Sequence, residues 1–154
     1  MIKMFINGVW RGVEIDDLMP VDEYGRLLTA YSNKGKLWVS LIEKAYMKVH
    51  GGYEFNGSNS SRDLYTLTGW LPEKVNLKTC DREKIFERIK NGYRTNDCLI
   101  TIGTGLVENE DRVGLVQGHA YGVLEIMEHK GIKMLLVKNP WGKFSWKGKW
   151  SVDD

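Results

Sequence analysis

Two residues twenty positions apart, His119 and Asn139, carry the densest chemistry in this sequence. His119 opens an apolar-rich stretch running to Met127, and Asn139 closes another, Ile132 to Lys138, with Glu128 to Gly131 as a tight turn between them. In an antiparallel pair the numbers of opposed residues sum to a constant, and a turn near His129 or Lys130 sets that sum at about 258 to 260. His119 and Asn139 sum to 258, so they are expected side by side at the end of the hairpin away from the turn. Directly opposed side chains share a face at ~4.5–5.5 Å, where an imidazole can hydrogen-bond an amide. An amide oxygen accepting from one ring nitrogen fixes the tautomer and leaves the other nitrogen to face a nucleophile. That is the base and orienter half of a cysteine-histidine-asparagine arrangement. Taken singly, a histidine at the start of a strand is a hydrogen-bonded surface residue and Asn-Pro-Trp-Gly is a turn; the pairing raises the chemical reading.

The neighbours fit that chemistry. Gly118 and Gly122 flank the histidine and remove side-chain bulk where a substrate backbone would approach. Pro140 ends the strand by removing a donor. Trp141 is placed to cover the His–Asn hydrogen bond and strengthen it by excluding water.

Several elements must hold these residues. Asn7-Gly8 between two apolar arms is a hairpin signal, and Leu27 to Tyr31 reads as a further short strand. From Lys36 to His50 the period turns helical, with Leu37, Trp38, Leu41, Ile42, Ala45, Tyr46 and Val49 on one face and Gly51-Gly52 as the stop. The polar segment Tyr53 to Asn59 reads as a connection between lobes, and Ser60 or Ser61 as the cap of a short helix through Leu67. Asp81 caps a helix of about three turns with Ile85, Phe86 and Ile89 inward and Gly92 near its end. Cys98 to Ile102 completes the set of strands.

The composition agrees with a mixed fold. At 154 residues, 42% hydrophobic and 27% charged, the chain has the size and balance of one domain or two small lobes, and disorder or a coiled coil is disfavoured. Its 17 Gly and 6 Trp point to a loop-rich, sheet-rich molecule, not a helix bundle. No apolar run can span a bilayer, and a net charge of +2 indicates neither nucleic acid nor an anionic surface. Two cysteines, Cys80 and Cys98, are too few for a disulfide framework, so a reducing, intracellular setting is expected.

Beyond the residue chemistry stands a resemblance. Gly114-Leu115-Val116-Gln117-Gly118-His119-Ala120-Tyr121, then Lys138-Asn139-Pro140-Trp141-Gly142, then Trp146-Lys147-Gly148-Lys149-Trp150 resemble the His and Asn motifs of the calpain cysteine proteases. Gly8-Val9-Trp10, Asp16-Asp17-Leu18-Met19-Pro20, Leu37 to Tyr46 and Leu67-Thr68-Gly69-Trp70 are similar to the segment joining the two lobes of that protease core. The Leu37 to Tyr46 run and Lys147-Gly148-Lys149 look most like the atypical calpains without EF-hands. The resemblance implies an α+β, papain-like fragment built on a twisted antiparallel sheet with a few helices. Residues 1–52 would end the first lobe and 53–154 would form a C-terminally incomplete second lobe. It implies peptide hydrolysis with His119 as general base and acid, Asn139 as orienter and Trp141 as the shielding indole.

The nucleophile in that family lies in a Gly-Asp-Cys-Trp-like context, expected upstream of Met1. Cys98 offers only the partial echo Asn96-Asp97-Cys98-Leu99, in a segment that reads as a strand, without the helix N-terminus that lowers a thiol pKa. Cys80 has no counterpart in the family. Calcium is a family expectation for the loops after Asn-Pro-Trp-Gly, but Lys143 stands where that pattern carries Glu and Val152 where it carries Asp. A hard dication needs several oxygen ligands, which leaves Asp153 and Asp154 as the remaining donors there, so no metal ligand is assigned.

Protein and peptide substrates are the expected partners, with calpain regulatory domains elsewhere in a full-length protein and an inactive, partner-binding fragment as the alternative. Trp141, Phe144, Trp146 and Trp150 interleave with Lys143, Lys147 and Lys149 in a pattern that also stacks bases, but Trp at such spacing packs a sheet, and no nucleic acid is expected.

Overall fold

Asn7 and Gly8 both take left-handed backbone angles, φ 52° and 77°, which is the two-residue turn whose twist matches a pair of antiparallel strands. They join β1 (Ile2–Ile6) to β2 (Val9–Val13), in register from Ile2 opposite Val13 to Ile6 opposite Val9. The computed structural model describes residues 1–55, 57–142 and 144–151. After the hairpin come α1 (Trp38–Val49), α2 (Ser60–Thr68), α3 (Arg82–Thr95), β3 (Thr101–Gly103), α4 (Glu110–Val113), β4 (Ala120–His129) and β5 (Ile132–Lys138). Helices and antiparallel sheets are mixed, an α+β fold, and the chain divides into two units, Met1–Lys74 and Val75–Asp154. No helix among the described residues is long and apolar enough to cross a membrane.

In the first unit Met4 and Val13 of the hairpin meet Ala45 and Tyr46 of α1, with Ile2, Ile6, Ile15, Met47, Phe55 and Leu67 packed around them. Burial of such side chains stabilises by roughly 1.5–3 kcal/mol each. The apolar face of α1 is narrower than its periodicity predicts: Leu37 and Trp38 are each 61% exposed. Leu37 is the N-cap and lies outside the helix it was expected to extend.

The strand expected at Leu27 to Tyr31 is reduced to one bridge, Val21 opposite Leu27. Side chains take the backbone groups a ladder would need. Asp22 Oδ1 accepts from the N–H groups of Tyr24 and Arg26, both at 2.9 Å, the Glu43 carboxylate accepts from the N–H of Ala30 at 2.5 Å, and the Ser40 hydroxyl donates to the Ala30 carbonyl at 2.7 Å.

The cap of α2 is Asn59, whose Oδ1 accepts from the N–H of Ser61 at 3.0 Å, in place of Ser60 or Ser61. The compact unit Met1–Lys74 includes the segment 53–74. The ties are local: the Tyr46 hydroxyl donates to Asp63 Oδ1 at 2.5 Å, and Phe55 stands edge-on to Tyr46.

In the second unit Asp81 caps α3 as expected, accepting from the N–H of Lys84 at 3.1 Å. The helix runs through Gly92 and ends at Asn96, whose φ of 58° terminates it. Cys98 to Ile100 lies outside β3, which begins only at Thr101, and the single turn α4 has no periodic signal in the sequence. The sheet order is β3-β4-β5, all antiparallel, with Phe86, Tyr121 and Ile126 buried.

The β4–β5 turn is the two-residue Lys130-Gly131, φ 49° and 77°. Paired residues near it sum to 261, as in His129 opposite Ile132. Between Val123 and Glu125 the register shifts, leaving Leu124 as the extra residue of β4, and beyond that bulge the sum is 260, as in Gly122 opposite Lys138. The sum of 260 beyond the bulge is the upper end of the expected range of 258 to 260, and the 261 nearer the turn lies just above it because the turn is centred between Lys130 and Gly131.

Candidate active site

Continued one step past Gly122 and Lys138, this register sets Asn139 across from Tyr121. His119 lies two residues before Tyr121 on the same face, so His119 and Asn139 are diagonal neighbours instead of the directly opposed pair the sequence predicts. Diagonal positions remain in reach of longer side chains. The ring nitrogen Nε2 of His119 and Oδ1 of Asn139 are 3.0 Å apart. The Leu124 bulge is what allows this: with the sum kept at 261, Asn139 would fall across from Gly122, on the other face of the sheet.

The orientation of the Asn139 amide follows from its other partners. Its Oδ1 accepts from the backbone N–H of Trp141 at 3.0 Å, and its Nδ2 donates to the Phe144 carbonyl at 3.2 Å. A backbone N–H only donates and a carbonyl only accepts, so oxygen must face Trp141 and His119. Nε2 therefore donates to Asn139, and in the neutral ring Nδ1 holds the lone pair. Among the described residues no hydrogen bond engages Nδ1. His119 and Asn139 are both partly buried.

The backbone of His119 is held as firmly as its ring. Its N–H donates to the Thr104 hydroxyl at 3.0 Å, its carbonyl accepts from the Thr104 N–H at 2.9 Å, and the Thr104 hydroxyl donates to the Val116 carbonyl at 2.5 Å. The loop before the histidine is fixed by the Glu110 carboxylate, which accepts from the Gln117 N–H at 2.6 Å, and by the buried Tyr121 hydroxyl, which accepts from the Val116 N–H at 2.9 Å. The Tyr121 ring meets His119 edge-on at 5.0 Å. Sequence reasoning missed Thr104 and Glu110; the one visible signal was a threonine between two glycines, Gly103-Thr104-Gly105.

Glycines complete the frame. Gly114 has φ 74°, and a Cβ there would stand 1.8 Å from the Ser145 carbonyl oxygen, so the segment after Asn139 crosses directly over it. The Lys147 N–H donates to Val113 O at 3.0 Å in the same crossing. Gly118 has φ 58° and open space around it, as does Gly122, so the demand at Gly118 is conformational and the approach to both is free.

Trp141 lies against His119, ring centroids 4.3 Å apart and tilted by 50°, while 59% of the residue stays exposed. Cys98 does not join this group. It follows the C-terminal end of α3 with its sulfur against Gly92, and burial, then the charge of Asp97, pushes its thiol pKa up. That is opposite to activation. Cys80 precedes the α3 cap and donates its N–H to the Asn76 carbonyl at 3.1 Å. Lys143, Val152, Asp153 and Asp154, the residues bearing on calcium, lie outside the described residues; among the described ones no cluster of three His, Cys, Asp or Glu could hold a metal.

The family profile of the calpain family cysteine proteases matches residues 1–154. The chain belongs to the calpain family of cysteine proteases. It is 48% identical to human calpain-7 across its full length, covering 20% of that protein. It is 43% identical to the calpain-like protease palB/cpr-8 of Neurospora crassa over 92% of its length, covering 16% of it, and 42% identical to palB of Emericella nidulans, covering 17%. The chain thus spans about a fifth of the length of the curated relatives it matches, 20% in the longest coverage. For a calpain-family chain the motif order Gly114 to Tyr121 followed by Lys138 to Gly142 is the part that carries His119 and Asn139.

Proposed function

We propose that this chain supplies the base and the orienter of a calpain-type cysteine endopeptidase that cleaves peptide bonds in protein substrates. The observation that carries the reading is the 3.0 Å bond from His119 Nε2 to Asn139 Oδ1, on an amide whose orientation its two backbone partners dictate. It leaves Nδ1 as the basic nitrogen, the state a general base needs.

In this reading a cysteine in a first lobe, outside this chain, is the nucleophile. Nδ1 takes the thiol proton, the sulfur attacks the scissile carbonyl carbon, and the carbonyl pair moves onto oxygen. As the tetrahedral species collapses, the proton on Nδ1 passes to the leaving amine and a thioester remains. A water that gives a proton to Nδ1 attacks the thioester carbon; the second tetrahedral species collapses with cleavage of the carbon–sulfur bond, the sulfur takes the proton back from Nδ1, and the new carboxylic acid leaves. Asn139 keeps the ring aligned through each protonation change, and Trp141 shields their hydrogen bond on one side. The open space at Gly118 and Gly122 is where the substrate backbone approaches.

Residues 1–52 are assigned to the end of the first lobe and 53–154 to the second. The protein works inside the cell, joined to regulatory domains, and calcium stands only as a family expectation with no ligand set assigned.

The test is complementation. Mixed with a first lobe bearing the nucleophilic cysteine, this chain restores cleavage of an unfolded protein substrate. A stable complex of the two that cleaves nothing overturns the proposal in favour of a partner-binding fragment.

A further inference from the structure

Four contacts converge on Thr104: its hydroxyl accepts from the His119 N–H and faces the Val116 carbonyl at 2.5 Å and the His119 carbonyl at 3.2 Å, the shorter being the one to which it donates, and its N–H donates to the His119 carbonyl. Thr104 directly follows β3, whose last residue, Gly103, pairs with Ala120, so the hydroxyl contacts lie one step beyond the β3–β4 ladder, beside the backbone bond from the Thr104 N–H to the His119 carbonyl. The preceding Gly118, at φ 58° and with open space around it, offers no packing to hold His119 from the other side. The Gly118 N–H donates to Gly105 O at 3.1 Å, so residues 104 and 105 together carry the backbone of the approach to β4.

We propose that Thr104 is a positioning residue for His119: its hydroxyl sets the backbone from which the imidazole reaches Asn139 and presents Nδ1. The inference rests on the reading of His119 as the catalytic base, and it adds a residue at the end of a different strand, β3. A hydroxyl is required because the site needs an acceptor for the His119 N–H and a donor for the Val116 carbonyl from one atom. Valine has the shape of threonine and supplies neither.

Thr104→Val and Thr104→Ser are compared in two measurements. In the whole protease, Thr104→Val lowers kcat by about ten- to a hundredfold with KM little changed, the size expected for a misplaced catalytic group, and Thr104→Ser restores kcat to within about twofold of the wild type. In the 154-residue chain, nitrogen NMR of the imidazole shows His119 losing its single Nε2–H tautomer in Thr104→Val and keeping it in Thr104→Ser. If Thr104→Val does not fold, Thr104→Ala against Thr104→Ser makes the same comparison with one hydroxyl as the difference. Wild-type kcat together with an unchanged imidazole spectrum in the hydroxyl-free variant overturns the proposal. The two readings separate cleanly: a changed spectrum in a protease whose cleavage survives His119→Ala upholds the positioning by Thr104 and sinks His119 as the base.

Discussion

The hydroxyl of Tyr93 donates to the carbonyl of Leu124 at 2.7 Å, so α3 holds the one extra residue of β4. A bulge leaves a backbone group outside the ladder, and Tyr93 satisfies it. Asn139 falls on the His119 face because Leu124 stays out of the ladder. Deleting Leu124 closes the bulge but leaves Glu125 opposite Leu136, Val123 opposite Val137 and Tyr121 across from Asn139, so it is predicted to keep both the β4–β5 turn and the His119–Asn139 bond while removing the carbonyl that Tyr93 engages. Nitrogen NMR of the His119 ring reads the outcome as retention of the fixed Nε2–H form, and its loss would contradict this register. Tyr93→Phe costs about 0.5–1.5 kcal/mol of stability in urea denaturation, the worth of one hydrogen bond.

Asn139→Ala removes three bonds at once, to the His119 ring, the Trp141 N–H and the Phe144 carbonyl. The predicted loss is about a hundredfold in kcat, with KM changed far less, because the base is present but misaligned. Steady-state kinetics of the whole protease on an unfolded protein substrate gives both constants.

Gly114→Ala and Gly118→Ala test two different demands. Both positions have positive φ, which costs of order 1–3 kcal/mol for a side chain. Only Gly114 adds a clash, with the Ser145 carbonyl oxygen at 1.8 Å from the new Cβ. Urea denaturation is expected to rank Gly114→Ala as the more damaging, and equal losses would show that the crossing over Gly114 does not matter.

Tyr46 makes the first unit sensitive to high pH. Burial, then its hydrogen bond to Asp63, raises its pKa from 10.0 to about 12. A raised pKa means that the folded state holds the proton more tightly, so its stabilisation is complete below about pH 10 and is lost as pH climbs from there to about 12. Denaturation midpoints across that window should fall for the wild type and fall less for Tyr46→Phe. At pH 7 the same substitution costs about 1.5–3 kcal/mol, typical of a hydrogen bond to a charged acceptor.

Much of this molecule is legible in its residues, for identifiable reasons. Asn7-Gly8 and Asp81 act locally, so the first turn and the α3 cap follow from the residue types alone. The strand at Leu27 to Tyr31 failed because the N–H and carbonyl of Ala30 are taken by Glu43 and Ser40 of α1, which no window of sequence exposes. In the candidate site the motif order pointed to His119, Asn139 and Trp141, whose mutual contacts the structure supplies. The route by which they meet was hidden: the diagonal pairing depends on Leu124, and a bulge has no signature in an apolar alternation. Thr104 was hidden for the same reason, since its partners lie 12 and 15 residues away.

The central claim is that His119, held by Asn139, serves a thiol. The rate at which iodoacetamide alkylates the nucleophilic cysteine of the whole protease, measured against pH in the wild type and in His119→Ala, tests it most directly. The account predicts rapid alkylation of the wild type well below the ordinary thiol pKa of about 8.5, and a profile that moves back toward about 8.5 when the imidazole is removed. Superimposable profiles for the two proteins would contradict it.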